Sequence, residues 1–285
     1  MSTVKENKQQ TILVTGATGK TGSRILQRLN EMKWPVRIGS RSANPTFDWT
    51  DKTTWQPALQ DIHTVYIAFV PDLAVPGADD IIRAFTKTAV DLGVKKLVLL
   101  SGRGEPEAQV CEQVVMQAGV DWSIVRASWF CQNFSEGYLT EPIIGGFVAL
   151  PVPNIGEPFI DTDDIADVAV VTLTDDRHNG QLYEVTGPRL LSFKQAVEEI
   201  SKITGKSIHY ERVPMKAYAE VLVEHQVPDE YVQLITYLFS KILDGRNASV
   251  SDGVERALGR KPTDFADFVR KAAAAGAWKE VVSNK

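Results

Sequence analysis

The stretch Thr11-Ile-Leu-Val-Thr-Gly16-Ala-Thr-Gly19-Lys-Thr-Gly22 constrains the fold more than any other part of the chain. Thr11–Thr15 is a β-branched and aliphatic run with the composition of a buried strand. Gly16, Gly19 and Gly22 follow at regular spacing, and Ile25, Leu26, Leu29 and Met32 then fall on one face of a helix. Strand, glycine turn and helix, in that order, are the context a dinucleotide site requires. Gly16 allows the tight turn, Gly19 lets a pyrophosphate reach the backbone, and Gly22 lets the helix pack against the strand. The helix N-terminus adds N–H groups and the positive end of a dipole, so Thr18, Lys20 and Thr21 join the three glycines as candidate cofactor contacts. An ordinary strand-to-helix turn is the plainer alternative. Gly19-Lys20-Thr21 also looks like the end of a nucleotide-hydrolase phosphate loop, but that motif needs a glycine where Val14 stands.

Strands and helices then continue to alternate along the chain. Val36–Ser40 reads as a second strand, closed off from the first helix by Pro35. An acidic residue near its end would hold a ribose 2′-hydroxyl. Ser40-Arg41-Ser42 stands there instead, and a guanidinium grips a 2′-phosphate that a carboxylate would repel. Ser40 and Arg41 therefore favour NADPH over NADH, against the plainer reading of a solvent-facing arginine. Asp48 and Trp49 are candidates to flank an adenine, or else form a turn and the N-cap of a short helix. Thr64–Phe69 reads as a third strand broken by Val70-Pro71. Ligands sit beyond the carboxyl ends of parallel strands, which places Phe69, Val70 and Pro71 along the cofactor. Asp79–Gly93 is a crossover helix, Lys96–Leu100 a strand, Ala108–Ala118 a helix and Asp121–Val125 a strand. Ser101, Gly102 and Arg103 lie at a strand's carboxyl end, where a hydroxyl could meet the nicotinamide. The expected architecture is α/β, a Rossmann-like doubly wound parallel sheet.

Trp129, Phe130 and Phe134 leave the end of the Asp121–Val125 strand and could sandwich a flat organic molecule, with Asn133 orienting it. A core-packed helix start is the alternative. From Ile143 to Pro158 the Gly- and Pro-rich chain reads as loop or edge strand. Asp161-Thr162-Asp163-Asp164 reads as a helix cap and not as a metal site. Leu182–Thr186 and Ser207–Glu211 are short strands, Phe193–Thr204 is an amphipathic helix closed by Gly205, and the remainder is helical.

Composition excludes several classes. A net charge of −5 gives no electrostatic footprint for nucleic acid or an anionic membrane. The apolar runs are too short to span a bilayer, and Met1–Gln10 is polar, a frayed leader with no signal-peptide core. Cys111 and Cys131, two thiols at no ligand spacing, point to a reducing compartment and hence the cytoplasm. His63, His178, His209 and His225 are scattered, so no metal is expected.

Together these motifs resemble the NmrA-like branch of the atypical short-chain dehydrogenases. The carrying residues are Thr15–Gly22, Gly119-Val-Asp-Trp-Ser-Ile-Val-Arg126, Asp161-Thr-Asp-Asp-Ile-Ala166 and Tyr183-Glu-Val-Thr-Gly187. Within that branch Ser101–Glu105, Arg126–Phe134 and Leu243–Asn247 are most similar to the reductases that make agroclavine and festuclavine in ergot alkaloid synthesis. The resemblance implies NADP(H), a Rossmann domain over 1–188 and a smaller, mostly helical C-terminal substrate lobe over 189–285, with a homodimer allowed for. It departs from many short-chain dehydrogenases at one point. The helix after Ser101 carries Cys111 and Glu112 where Tyr-x-x-x-Lys is usual, and Tyr237 and Lys241 match that spacing only in the distal tail. A ketone needs an acid to protonate the new alkoxide. An iminium takes hydride directly, and a quinone gives oxygens acidic enough for water to serve. The expected function is therefore an NADPH-dependent reductase of a small, flat, unsaturated substrate, imine or iminium before quinone. Ser101 and Asn133 are its candidate catalytic polar groups. A non-catalytic NADP(H) sensor is the rival reading.

Overall fold

A computed structural model describes residues 10–279. The leader expected over Met1–Gln10 lies, but for its last residue, outside them. The chain forms two compact units. The first takes in the described residues up to Ser101, then Glu107–Val125 and Ala166–Tyr183; the second takes in Gly102–Pro106, Arg126–Ile165 and the described residues from Glu184 on. The division is thus not a single cut after residue 188. The segments that leave two strands at their carboxyl ends, 102–106 and 126–165, cluster with the C-terminal residues.

The sheet strands are β1 (Ile12–Thr15), β2 (Val36–Gly39), β3 (Thr64–Ile67), β4 (Lys96–Gly102) and β5 (Asp121–Ala127). After β6 (Phe147–Leu150), which lies outside this sheet, comes its last strand, β7 (Gln181–Val185). They are ordered β2-β1-β3-β4-β5-β7. The β1·β2, β1·β3 and β3·β4 pairs are parallel, with Ile12 opposite Val36 on one side and Thr64 on the other. The chain therefore leaves β1 in one direction to reach β2 and returns past it to β3. That reversal is the switch point at which such sheets open a crevice. Strands β1 and β3 are buried at every residue, as expected where helices cover both faces. β2 is the edge, and its Ile38 is exposed.

Helix α1 (Lys20–Glu31) buries Ile25 and Leu29 as their spacing predicts, and Met32 falls just past its end, exposed. The Ala78–Asp91 helix buries Ile82, Phe85 and Ala89. In the second unit, β6 pairs in parallel with β8 (His209–Arg212). The Phe193–Thr204 helix carries a Ser192/Gln195 capping box and ends on a left-handed Gly205. The core of this unit gathers Phe134, Phe159, Phe193, Phe265 and Trp278. No helix among the described residues is long and apolar enough to cross a membrane.

Candidate functional site

The glycine turn after β1 is built as its residues require. Gly16 has a φ of +62°, and a Cβ there would sit 3.1 Å from the Ala68 Cβ. A Cβ on Gly22 would fall 2.2 Å from the Gly16 carbonyl oxygen, so only glycine lets α1 approach β1 this closely. Gly19 is the N-cap of α1, extended (φ −84°, ψ 178°) and with no side chain to cap the helix. Its N–H donates to Gly16 O (2.9 Å), and the first intrahelical bond is Ser23 N–H to Gly19 O. The amides of Lys20, Thr21 and Gly22 precede that bond. Thr18 and Gly19 are exposed, and no acidic residue occupies the first turn. An exposed turn ending on a side-chain-free N-cap fits a phosphate group.

A buried polar network, which sequence reasoning missed, ties this turn to β3. Thr15 Oγ1 donates to Tyr66 O and accepts from Ala68 N–H, both at 2.9 Å. The Tyr66 hydroxyl donates to Thr21 Oγ1 (3.0 Å). Burial pushes the Tyr66 phenol well above its ordinary range. Thr21 therefore turns its side chain into the unit and has only its amide to offer a phosphate. The available signal was a tyrosine inside a wholly buried strand, where its hydroxyl needs a partner.

At the end of β2, Ser40 Oγ lies 3.3 Å from Ser42 Oγ, and Arg41 is exposed. An open groove of about 510 Å³ runs along the β2 edge, from Thr11 and Val36 past Ile38 to Thr18, Ser40 and Asn44. Asp48 Oδ1 accepts from the N–H and hydroxyl of Thr50 (2.9 and 2.8 Å). Those bonds, with a smaller contribution from Arg41, lower the Asp48 pKa. Asp51 caps the short turn after it by accepting from Thr53 N–H. The turn-and-cap reading of this stretch is the one observed. Trp49 is a core ring, 7% exposed and packed edge-on against Phe47, Phe69 and Phe85, and leaves little surface to flank an adenine. Its indole N–H donates to Ala68 O (3.1 Å). Phe69 is half-buried, while Val70 and Pro71 are exposed beyond β3.

Ser101 is buried, and its hydroxyl donates to Glu112 Oε1 at 2.6 Å. Glu112 is buried on the Pro106–Met116 helix beside Cys111, whose thiol burial pushes up to about 12. The first unit thus brings Gly16–Gly22, Ser40, Arg41, Phe69–Pro71 and Ser101 to the carboxyl ends of β1 to β4.

The remaining candidates belong to the second unit. Half-buried Gly102 closes β4 there. Arg103 is not available to a cofactor. Its guanidinium donates to Glu184 Oε1 (2.8 Å), to the carbonyls of Asn247 and Ser249 (both 2.7 Å) and to Ser249 Oγ (2.8 Å). It is a tie that holds the 247–249 segment. Phe134 is fully buried between Phe159 (5.3 Å) and Phe265 (5.3 Å), so its ring is core and not a substrate face. Phe130 and Asn133 are half-buried around the short Cys131–Phe134 turn. Trp129 is half-buried and stacks on Phe239 (5.7 Å, 27°). Phe239 sits on a π-helical turn, Leu238–Ile242, with Tyr138 and Tyr218 around it. Sequence reasoning missed these three, which share no period. It also missed Glu157, whose carboxyl burial raises to about 7 although Ser128 Oγ and Trp129 N–H donate to it. The Asp161 stretch is a junction: Asp161 accepts from Asp163 N–H and Gln132, and Asp164 holds Thr263 and Arg260.

Residues 108–269 match the NmrA-like family. The chain is 32% identical to an agroclavine dehydrogenase of Claviceps fusiformis, over 91% of this chain and 96% of that one. It is 28% identical to prestalk A differentiation protein A of Dictyostelium discoideum, over 95% of each. Its fold is similar to that of an NADPH-dependent quinone oxidoreductase of Escherichia coli solved with NADPH. The TM-score is 0.76 and the identity 19%, over 91% of this chain and 99% of that one.

Proposed function

As this chain belongs to the NmrA-like family, we propose that it is an NADPH-dependent oxidoreductase that reduces a small, flat, unsaturated substrate, an imine or iminium before a quinone. The nicotinamide cofactor, when bound, supplies the hydride. The chain's own residues bind and orient. The amides at the start of α1 and the backbone of Gly16 and Gly19 hold the pyrophosphate. Arg41, exposed at the end of β2 with Ser40, grips the 2′-phosphate. Phe69, Val70 and Pro71 offer an apolar edge beyond β3.

One observation carries the substrate class. Where many short-chain dehydrogenases keep a tyrosine and a lysine, the Pro106–Met116 helix buries Cys111 and Glu112, and Glu112 accepts a hydrogen bond from the Ser101 hydroxyl. This constellation supplies no acid for an alkoxide, whereas an iminium needs none. The similarity to an agroclavine dehydrogenase supports an oxidoreductase, and the fold shared with a quinone oxidoreductase supports the second substrate class. The test measures NADPH oxidation against a panel of cyclic imines and quinones, with cofactor binding titrated separately. Turnover of an imine is expected. Tight NADPH binding with no turnover across the panel would replace the enzyme with a sensor of NADP(H), a reading the missing tyrosine and lysine also favour.

A further inference from the structure

Ser101 has one hydroxyl proton, and it is committed. Glu112 Oε1 accepts it at 2.6 Å, within the range of a hydroxyl donating to a carboxylate. Both residues are almost fully buried, 4% and 1% exposed, so water does not compete for the bond. A hydroxyl whose proton is engaged has only lone pairs left for another neighbour. The register Ile67 opposite Leu99 puts Ser101 just past the paired end of β3, at the same carboxyl edge of the sheet as the glycine turn after β1.

We propose that Glu112 is a positioning residue that makes Ser101 a hydrogen-bond acceptor, so that Ser101 receives the N–H of the nicotinamide carboxamide instead of protonating a substrate. This rests on the NADP(H) reading above. A carboxamide offers both a carbonyl acceptor and an N–H donor. A serine with a free proton serves the carbonyl, and a serine bound to Glu112 serves the N–H. Glu112 thus sets which side of the carboxamide is recognised, and it withholds the proton that a carbonyl reductase would use.

The 3-acetylpyridine analogue of NADP+ separates the two cases, because it keeps the carbonyl and lacks the N–H. Both ligands are titrated by quenching of tryptophan fluorescence against wild type, Ser101→Ala, Ser101→Thr, Glu112→Gln and the Ser101→Ala/Glu112→Gln double variant. Wild type is expected to bind NADP+ about fivefold tighter than the analogue, the size of one net hydrogen bond. Ser101→Thr keeps that preference and Ser101→Ala loses it. Glu112→Gln loses it too, since its amide can donate to Ser101 and release the hydroxyl proton, and the double variant loses nothing more. If Glu112→Gln does not fold by circular dichroism, Glu112→Asp withdraws the carboxylate by one methylene and must weaken the preference. A preference that survives Glu112→Gln or Glu112→Asp, or that survives Ser101→Ala, overturns the proposal. A wild type that binds both ligands equally overturns this proposal alone, whereas one that binds neither overturns the cofactor reading.

Discussion

Glu157 is a carboxyl group held where its charge is unwelcome, and this makes its contribution to stability a function of pH. It is 2% exposed. Burial raises its pKa from 4.5 to about 7, outweighing Ser128 Oγ, the Trp129 N–H and the field of Arg103, all of which favour the charged form. Between those two values the folded chain holds a proton that the unfolded chain has released, so stability falls as pH rises. The loss begins near the unfolded pKa and is complete above the folded one. At about 1.4 kcal/mol per unit, the gap amounts to roughly 3 kcal/mol. Glu157→Gln imitates the protonated form and keeps an oxygen to accept from Ser128 and Trp129. Urea unfolding is followed by tryptophan fluorescence for both proteins at intervals across pH 4 to 8. The two should be nearly equally stable at the acid end, and the glutamine variant should gain steadily to about 3 kcal/mol at the alkaline end. Groups titrating alike in both proteins cancel in the difference. A difference that does not change with pH, or a variant that is the less stable one at pH 8, would refute the argument.

Three further outcomes are expected. NADPH should bind at least about tenfold tighter than NADH, or about 1.4 kcal/mol, and Arg41→Asp should abolish that preference in paired titrations; a variant that keeps it removes Arg41 from the 2′-phosphate. Gly19→Val should leave the circular dichroism of the sheet intact, because its φ is ordinary and the one tight contact of a Cβ, 3.2 Å to Gly16 O, is confined to the turn. It should abolish NADPH binding by filling the space a pyrophosphate needs, and normal affinity would sink the assignment. Phe134→Ala should lose about 3–5 kcal/mol in urea unfolding with NADPH affinity unchanged, as befits a core ring; a variant of wild-type stability that fails to bind substrate would return Phe134 to the site.

What the sequence made legible was what is local. The β1 turn depends on residues within one strand, one loop and one helix turn, and the spacing of Gly16, Gly19 and Gly22 carries the whole construction. Trp49 was not legible in that way, because its fate is decided by Ala68, whose carbonyl accepts the indole N–H only once β3 lies beside β1. Arg103 illustrates the same limit from the other side. As a basic residue at a strand end it resembles a phosphate ligand, yet its partners Glu184, Asn247 and Ser249 are remote in sequence and engage most of its donors. The β6–β8 pairing joins a stretch read only as loop or edge strand to the strand expected over Ser207–Glu211, and nothing local links two segments so far apart in sequence. The Ser101–Glu112 bond falls between these cases. Both residues stood out, one as a hydroxyl at a strand end and the other as the occupant of a position usually given to different chemistry. Only the fold brings Glu112 back under the end of β4 and turns that substitution from a missing acid into a present acceptor. The role proposed for Ser101 rests on that one hydrogen bond to Glu112, and the bond depends on how the helix after β4 packs, for which sequence pattern carries no signal.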